Sequence, residues 1–160
     1  MSEPLRLLLL RHAHAEPAAP GQSDLERPLS ATGEAEAEAA AAWLAGRGWP
    51  ARALCSPARR TRQTLARLLD RSGYLDTREE PAIYEASPGV LIEVIERHRG
   101  AGSLLVVGHN PGLERLVALL CSGRSGDARG MPPAAIAEIE LPQDAPIEPG
   151  RGRLVAFWWP

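Results

Sequence analysis

The sequence predicts an α/β fold: a three-layer sandwich in which a mostly parallel central sheet is flanked by helices. Three observations predict it. Residues 5–10 form an apolar run broken only by Arg6, and residues 103–107 form a second such run; both fit buried parallel strands. Segments with helical spacing alternate with strand-like ones in the order β-α-β-α-(β)-α-β-α-β-β, the mark of crossover connections. Residues 134–141 alternate apolar and charged, and residues 153–159 follow after a turn-rich stretch, so the last two strands read as an antiparallel addition.

Each element has its own signal. Residues 13–29 form a loop rich in Pro, Ala and acidic side chains. Ser30 or Thr32 can cap a helix that runs to about Arg47, with Gly48 behind it. Its Glu34, Glu36 and Glu38 read as a solvated face near a helix N-terminus, where negative charge is favourable, while Ala41, Trp43 and Leu44 face inward. Residues 52–55 are a short second strand. Ser56-Pro57 opens a helix over about 58–71, with Leu65, Leu68 and Leu69 at helical spacing. Residues 73–81 read as connecting chain and Ile83-Tyr84 as a brief strand. Ser87 caps a helix that starts at Pro88 and ends near His98, a basic residue suited to a helix C-terminus. After the strand at 103–107, Asn110 is the cap and Pro111 the first residue of a helix to about Cys121. Residues 123–133 form a Gly- and Pro-punctuated loop. Glu138 and Glu140 mark a wet face on the strand that follows, near a sheet edge. Of Trp158 and Trp159, the alternation sends one to the core and one to the surface.

Bulk properties narrow the function classes. At 160 residues the chain suits one domain, 1–160, with a sizeable core. It is 44% hydrophobic and 24% charged, as soluble globular proteins are. A net charge of -2 speaks against nucleic acid as partner, and no segment approaches membrane-spanning length. All 18 basic side chains are Arg, so Arg content carries little information and only the position of an Arg can be argued. Cys55 and Cys121 read as small buried residues rather than a disulfide framework, and no Cys/His cluster has zinc spacing. No secretory leader is recognisable, which makes the cytoplasm the default setting.

The chemistry concentrates at three strand ends. The first apolar run stops at Arg11-His12. The second strand leads into Ser56-Pro57-Ala58-Arg59-Arg60-Thr61-Arg62-Gln63-Thr64. The strand at 103–107 leads into Gly108-His109-Asn110-Pro111-Gly112. Parallel strands share one C-terminal edge, where ligands of open α/β sheets bind. Neutral imidazole can attack phosphorus, guanidinium grips phosphoryl oxygens in a bidentate way, and a helix start after His109 favours an anion. Two His and two Arg at this edge make a phosphoryl pocket. Arg59 and Arg62 read as solvated, Gln63-Thr64 as internal hydrogen-bonding residues, and His14 as a surface residue.

Arg-His after the first strand, Ser-Pro-x-x-Arg-x-x-Gln-Thr at the second helix and Gly-His-Asn-Pro-Gly after a later strand resemble the histidine phosphatase superfamily, the phosphoglycerate-mutase-like fold. The segment Asp24-x-x-Arg27-Pro28-Leu29-Ser30-x-x-Gly33 and the small size resemble its SixA-type branch of phosphohistidine phosphatases, without the large helical insertion of other members. The resemblance implies His12 as the nucleophile that becomes phosphorylated, Arg11 and Arg60 as ligands of the phosphoryl oxygens, and His109 as a second His on the phosphoryl group. It implies that no metal or other cofactor is needed. Arg27, in the loop motif, and Glu85 are candidate substrate-binding residues. Glu85 is also the candidate proton donor, since larger members draw an acidic residue from the corresponding region; the plain alternative is a solvated loop residue. Three functions follow: a phosphatase for phosphohistidine in a protein such as a histidine-phosphotransfer domain, a phosphatase for a small phosphorylated metabolite, each releasing inorganic phosphate, or a non-enzymatic phosphate-binding module.

Overall fold

The first strand, β1 (Leu5–Arg11), is buried on both faces and feeds two cores at once. The computed structural model describes residues 3–160, and β1 is followed by α1 (Ala31–Arg47), β2 (Arg52–Cys55), α2 (Arg59–Ser72), β3 (Asp76–Glu79), α3 (Pro88–His98), β4 (Ser103–Gly108), α4 (Gly112–Ser122), β5 (Ile136–Leu141) and β6 (Arg153–Trp158). Leu5, Leu7 and Leu9 pack with Leu91, Val94 and Ile95 of α3 and Leu113, Leu116 and Leu120 of α4. Leu8 and Leu10 pack with Ala40, Ala41 and Leu44 of α1 and Leu65 and Leu68 of α2. The period of two along a strand thus sets helices on both faces, and the expected three layers follow.

The sheet order is β3-β2-β4-β1-β5-β6. β1 pairs with β4, and β2 with β4 and β3, all parallel; β5 lies antiparallel to β1 and to β6. The neighbouring ends of β1 and β4 lead to helices on opposite faces, which opens a crevice between the two ends. Arg11 is in register with Gly108, so His12 and His109 leave the sheet side by side.

Several sequence expectations need correction. The third strand is not Ile83-Tyr84 but Asp76–Glu79, inside the segment read as connecting chain. It is an edge strand with an exposed polar face, so no apolar pattern announced it; pairing with β2 forms it. Ile83 instead ends a 3-10 turn (Pro81–Ile83) and is buried in the core. Glu138 is not wet: it is 6% exposed, and Arg6 and Arg47 ion-pair with it. β5 itself lies next to the edge strand β6, near the sheet edge as expected. It begins at Ile136 rather than 134. Ala134, at φ 62, instead donates its N–H toward the carbonyls of Arg11 and His12 at 3.1 and 3.2 Å and steadies the end of β1. Cys121 is half-buried, while Cys55 is buried as expected. Helix α4 starts one residue later than expected, although the Asn110 side chain still accepts the Glu114 N–H at 3.2 Å.

The two serine caps and the tryptophan pair follow expectation. Ser30 and Ser87 cap α1 and α3 by accepting the N–H of Gly33 and Val90. Trp158 stacks on Trp43, and Trp159 is 56% exposed. No helix among the described residues is long and apolar enough to cross a membrane.

Gly33 ties α1 to the loop after β1. A Cβ there would lie 2.0 Å from the carbonyl oxygen of His14, which already accepts from the Ser30 N–H at 3.0 Å. Alanine in a helix ordinarily gains about 1 kcal/mol over glycine. Here the backbone clash outweighs that gain, so Gly33→Ala is expected to lose about 2 kcal/mol net, read as a lower urea midpoint at unchanged slope.

Candidate active site

Loop 12–14 carries the first His. His12 Nδ1 lies 2.7 Å from the Ala13 carbonyl oxygen. A carbonyl only accepts, so Nδ1 carries the proton and Nε2 is left with a free lone pair. The backbone on either side is fixed: His12 N–H donates to the Gly108 carbonyl, and Ala13 N–H donates to Thr64 Oγ1 at 3.1 Å. Burial pulls the His12 pKa down to about 4, and the charges of Arg60, Arg11 and Arg27 push the same way against the Ala13 hydrogen bond. The ring is neutral at pH 7.

His109, at the exit of β4, has its ring centroid 5.3 Å from that of His12. Its Nδ1 faces an Arg60 terminal nitrogen at 3.4 Å, which can only donate, so Nε2 carries the proton and donates to Ser56 Oγ at 2.7 Å. Burial, His12 and the nearby guanidiniums lower its pKa to about 3. Tyr84 meets the same ring edge-on at 5.5 Å.

The two arginines come from β1 and α2. Arg11 donates one terminal N–H to the Met131 carbonyl at 2.8 Å. Arg60 is 6% exposed and donates to the Asp24 carbonyl at 2.7 Å and to Asp24 Oδ2 at 3.0 Å. Among the described residues, the buried side-chain polar atoms without a hydrogen-bond partner are Arg11 Nε, Arg60 Nε and Ser72 Oγ. Unpaired buried donors are costly, and two of these three belong to the predicted phosphate ligands.

A cavity of about 730 Å³ opens beside Arg60 and His109, lined also by Asp24, Tyr84, Glu85 and Arg115, while Arg11 lines a neighbouring cavity. Glu85 sits on its rim, exposed, with φ 56, in the left-handed region that a non-glycine residue adopts only under constraint. Arg27 does not line the cavity. It donates to the Glu16 carbonyl at 2.9 Å and to Asp24 Oδ1 at 3.1 Å, and reaches the site through Asp24. Arg59 and Arg62 are exposed, Gln63 accepts the Leu29 N–H, and His14 is exposed with Nδ1 2.6 Å from Ser30 Oγ.

Sequence reasoning missed Asp24 and Tyr84. Asp24 Oδ2 also accepts the Tyr84 hydroxyl at 2.6 Å. That bond, with those from Arg27 and Arg60, holds the Asp24 carboxyl well below the usual carboxylate range, although burial opposes it, and it pushes the Tyr84 phenol up to about 12. The Asp24-x-x-Arg27 spacing was the available signal. Among the described residues, no group of three or more His, Cys, Asp or Glu side chains could hold a metal ion.

A family model described as histidine phosphatase superfamily (branch 1) matches residues 7–93, more than half of the chain. The chain belongs to the histidine phosphatase superfamily. The superfamily acts through a phosphohistidine intermediate. An uncharacterised protein of Mycobacterium tuberculosis is 38% identical over 160 residues, spanning 92% of this chain and 98% of its own length. A solved protein from Agrobacterium tumefaciens, assigned as the phosphohistidine phosphatase SixA, superposes with a TM-score of 0.84 at 32% identity, over 98% of this chain and 99% of its own. The protein histidine phosphatase SixA complexed with tungstate superposes with a TM-score of 0.82 at 28% identity, over 96% of each chain.

Proposed function

We propose that this chain removes phosphate from phosphohistidine in a protein, by way of a phosphohistidine on its own His12. The observation that carries this reading is the free Nε2 of a neutral His12, set beside two guanidiniums with unpaired N–H groups and a second neutral His. Neutral Nε2 attacks phosphorus in line with the leaving group. Charge spreads over the equatorial oxygens in the loose transition state; Arg11 stabilises it as a bidentate donor, and Arg60 through its unpaired Nε–H and its positive charge. The Nε2–H of His109 turns from Ser56 Oγ to a phosphoryl oxygen, exchanging a neutral acceptor for a charged one. Water then attacks the phosphorus of phospho-His12 and releases inorganic phosphate. Guanidinium charge does the work that a cation does in metal-dependent phosphatases, so the reaction needs no metal.

The leaving-group side favours phosphohistidine over an ester. Glu85, the candidate proton donor, is exposed and makes no hydrogen bond among the described residues. The link from β3 to α3 is a short turn with no helical insertion over the pocket, so a protein segment can reach it. The SixA relatives support the same reading, and the tungstate held by one of them is a tetrahedral oxyanion like phosphate. We place the reaction in the cytoplasm, where unpaired Cys55 and Cys121 would stay reduced.

The test compares a phosphorylated histidine-phosphotransfer domain with 4-nitrophenyl phosphate, for wild type and His12→Ala. Wild type is expected to dephosphorylate the protein with the higher kcat/KM. Turnover of the ester alone would replace this reading with a small-molecule phosphatase, and equal activity of His12→Ala would remove the nucleophile assignment.

A further inference from the structure

Asp24 is the side chain that a phosphate pocket would be expected to exclude. A carboxylate on the wall of an anion site repels the substrate, yet this one is held in place by three donors from three parts of the chain: Arg27 beside it, Arg60 of α2, and Tyr84 before α3. Its side chain is 47% exposed and lines the cavity together with Arg60 and His109, whereas His12 is absent from that lining. An in-line leaving group departs on the side of phosphorus away from His12, and we assign it to this cavity because Arg60 and His109 line it. The charged groups facing that space are Asp24 and Glu85 on one side of the balance and Arg60 and Arg115 on the other, with Tyr84 and His109 neutral.

We propose that Asp24 is a specificity-determining residue, which selects ring-protonated phosphohistidine, whose leaving group is neutral imidazole, and disfavours an alkoxide. The inference rests on the phosphohistidine reading and deepens it. Phosphohistidine protonated on its distal ring nitrogen presents an N–H. As His12 Nε2 forms its bond to phosphorus, the substrate N–P bond breaks and its electron pair stays on the ring nitrogen. The imidazole then leaves neutral, with the distal proton still in place. The Asp24 carboxylate accepts that N–H and keeps the proton there. Of roughly four acceptor positions on a carboxylate, the structure occupies three, which leaves one for the ring. Without the proton the ring would have to leave as imidazolate. An alcohol ester has no such proton, and negative charge building on its oxygen meets the negative charge of Asp24.

The experiment measures kcat/KM of wild type, Asp24→Asn and Asp24→Glu on a phosphorylated histidine-phosphotransfer domain and on 4-nitrophenyl phosphate, whose leaving group needs no proton. Asp24→Asn keeps an acceptor for Arg60 and removes the charge. The ratio of phosphohistidine to ester turnover is expected to fall about tenfold, the size of one charge-assisted hydrogen bond. The alkaline limb of kcat on phosphohistidine moves to lower pH in the same variant, because a carboxylate raises the proton affinity of a bound ring and its loss lowers it. Asp24→Glu brings the ratio back toward wild type. An unchanged ratio with an unmoved limb overturns the proposal. So does a parallel loss on both substrates in Asp24→Asn with no recovery in Asp24→Glu, which would assign Asp24 to holding Arg60 alone. If wild type hydrolyses the ester but not phosphohistidine, the functional reading itself fails, an outcome distinct from either.

Discussion

His12→Ala is expected to lose at least about 10⁴-fold in kcat, the scale on which removing a covalent nucleophile is felt. Rapid quenching of wild type with labelled substrate should trap acid-labile, base-stable phosphate on the chain, as a phosphoramidate requires, and His12→Ala should trap none. The prediction rests on one tautomer. The Ala13 carbonyl at 2.7 Å holds the proton on Nδ1, so Nε2 attacks without first losing a proton, and no general base is needed for that step. The pH dependence has a definite sign. His12 is active as the neutral ring, and burial lowers its pKa to about 4, so the free enzyme stays competent from neutrality downward and loses kcat/KM as pH falls through about 4. An unburied imidazole would lose activity from about 6.5. An acid limb near the unperturbed value would mean that His12 is not desolvated as the structure has it.

Much of this site was legible because its anchors are local. Arg11 and His12 end an apolar run, Arg60 lies four places past Ser56 at the start of α2, and His109 follows a second apolar run; each assignment needs only the strand end and the residues next to it. What stayed hidden depends on contacts between distant parts of the chain. Asp24 meets Arg60 and Tyr84 across 36 and 60 residues, and before folding it is one acidic residue in an acidic loop. Glu138 looked solvated because alternation assigns a strand face but cannot see that Arg6 and Arg47 will close over that face. The Asp76–Glu79 strand has no pattern of its own, because an edge strand needs backbone pairing and little apolar burial. The one-residue shift at the start of α4 changes no site residue, since His109 stays at the exit of β4 either way.

Arg60→Ala should cost about 10³-fold in kcat/KM, more than the loss of a single neutral donor to a transition-state oxyanion. Two effects add. The phosphoryl oxygens lose a buried, charged donor, the Nε–H of Arg60. The His109 ring loses the donor that fixes its Nδ1 as an acceptor, so the tautomer with Nε2–H available to substrate is no longer enforced. The Asp24 carbonyl also loses its partner at 2.7 Å, and the 3-10 turn Asp24–Glu26 beneath Tyr84 loosens with it. Arg60→Lys separates charge from shape: the ammonium keeps the positive charge but lacks the planar fork that reaches Asp24 and His109 together. Recovery of less than about tenfold over Arg60→Ala is therefore expected, with thermal melting to confirm that both variants are folded. Full recovery in Arg60→Lys would mean that only the net charge at this position matters. The two contacts to Asp24 and the one to His109 would then be incidental to turnover, and Arg11 would carry the bidentate grip on phosphate by itself.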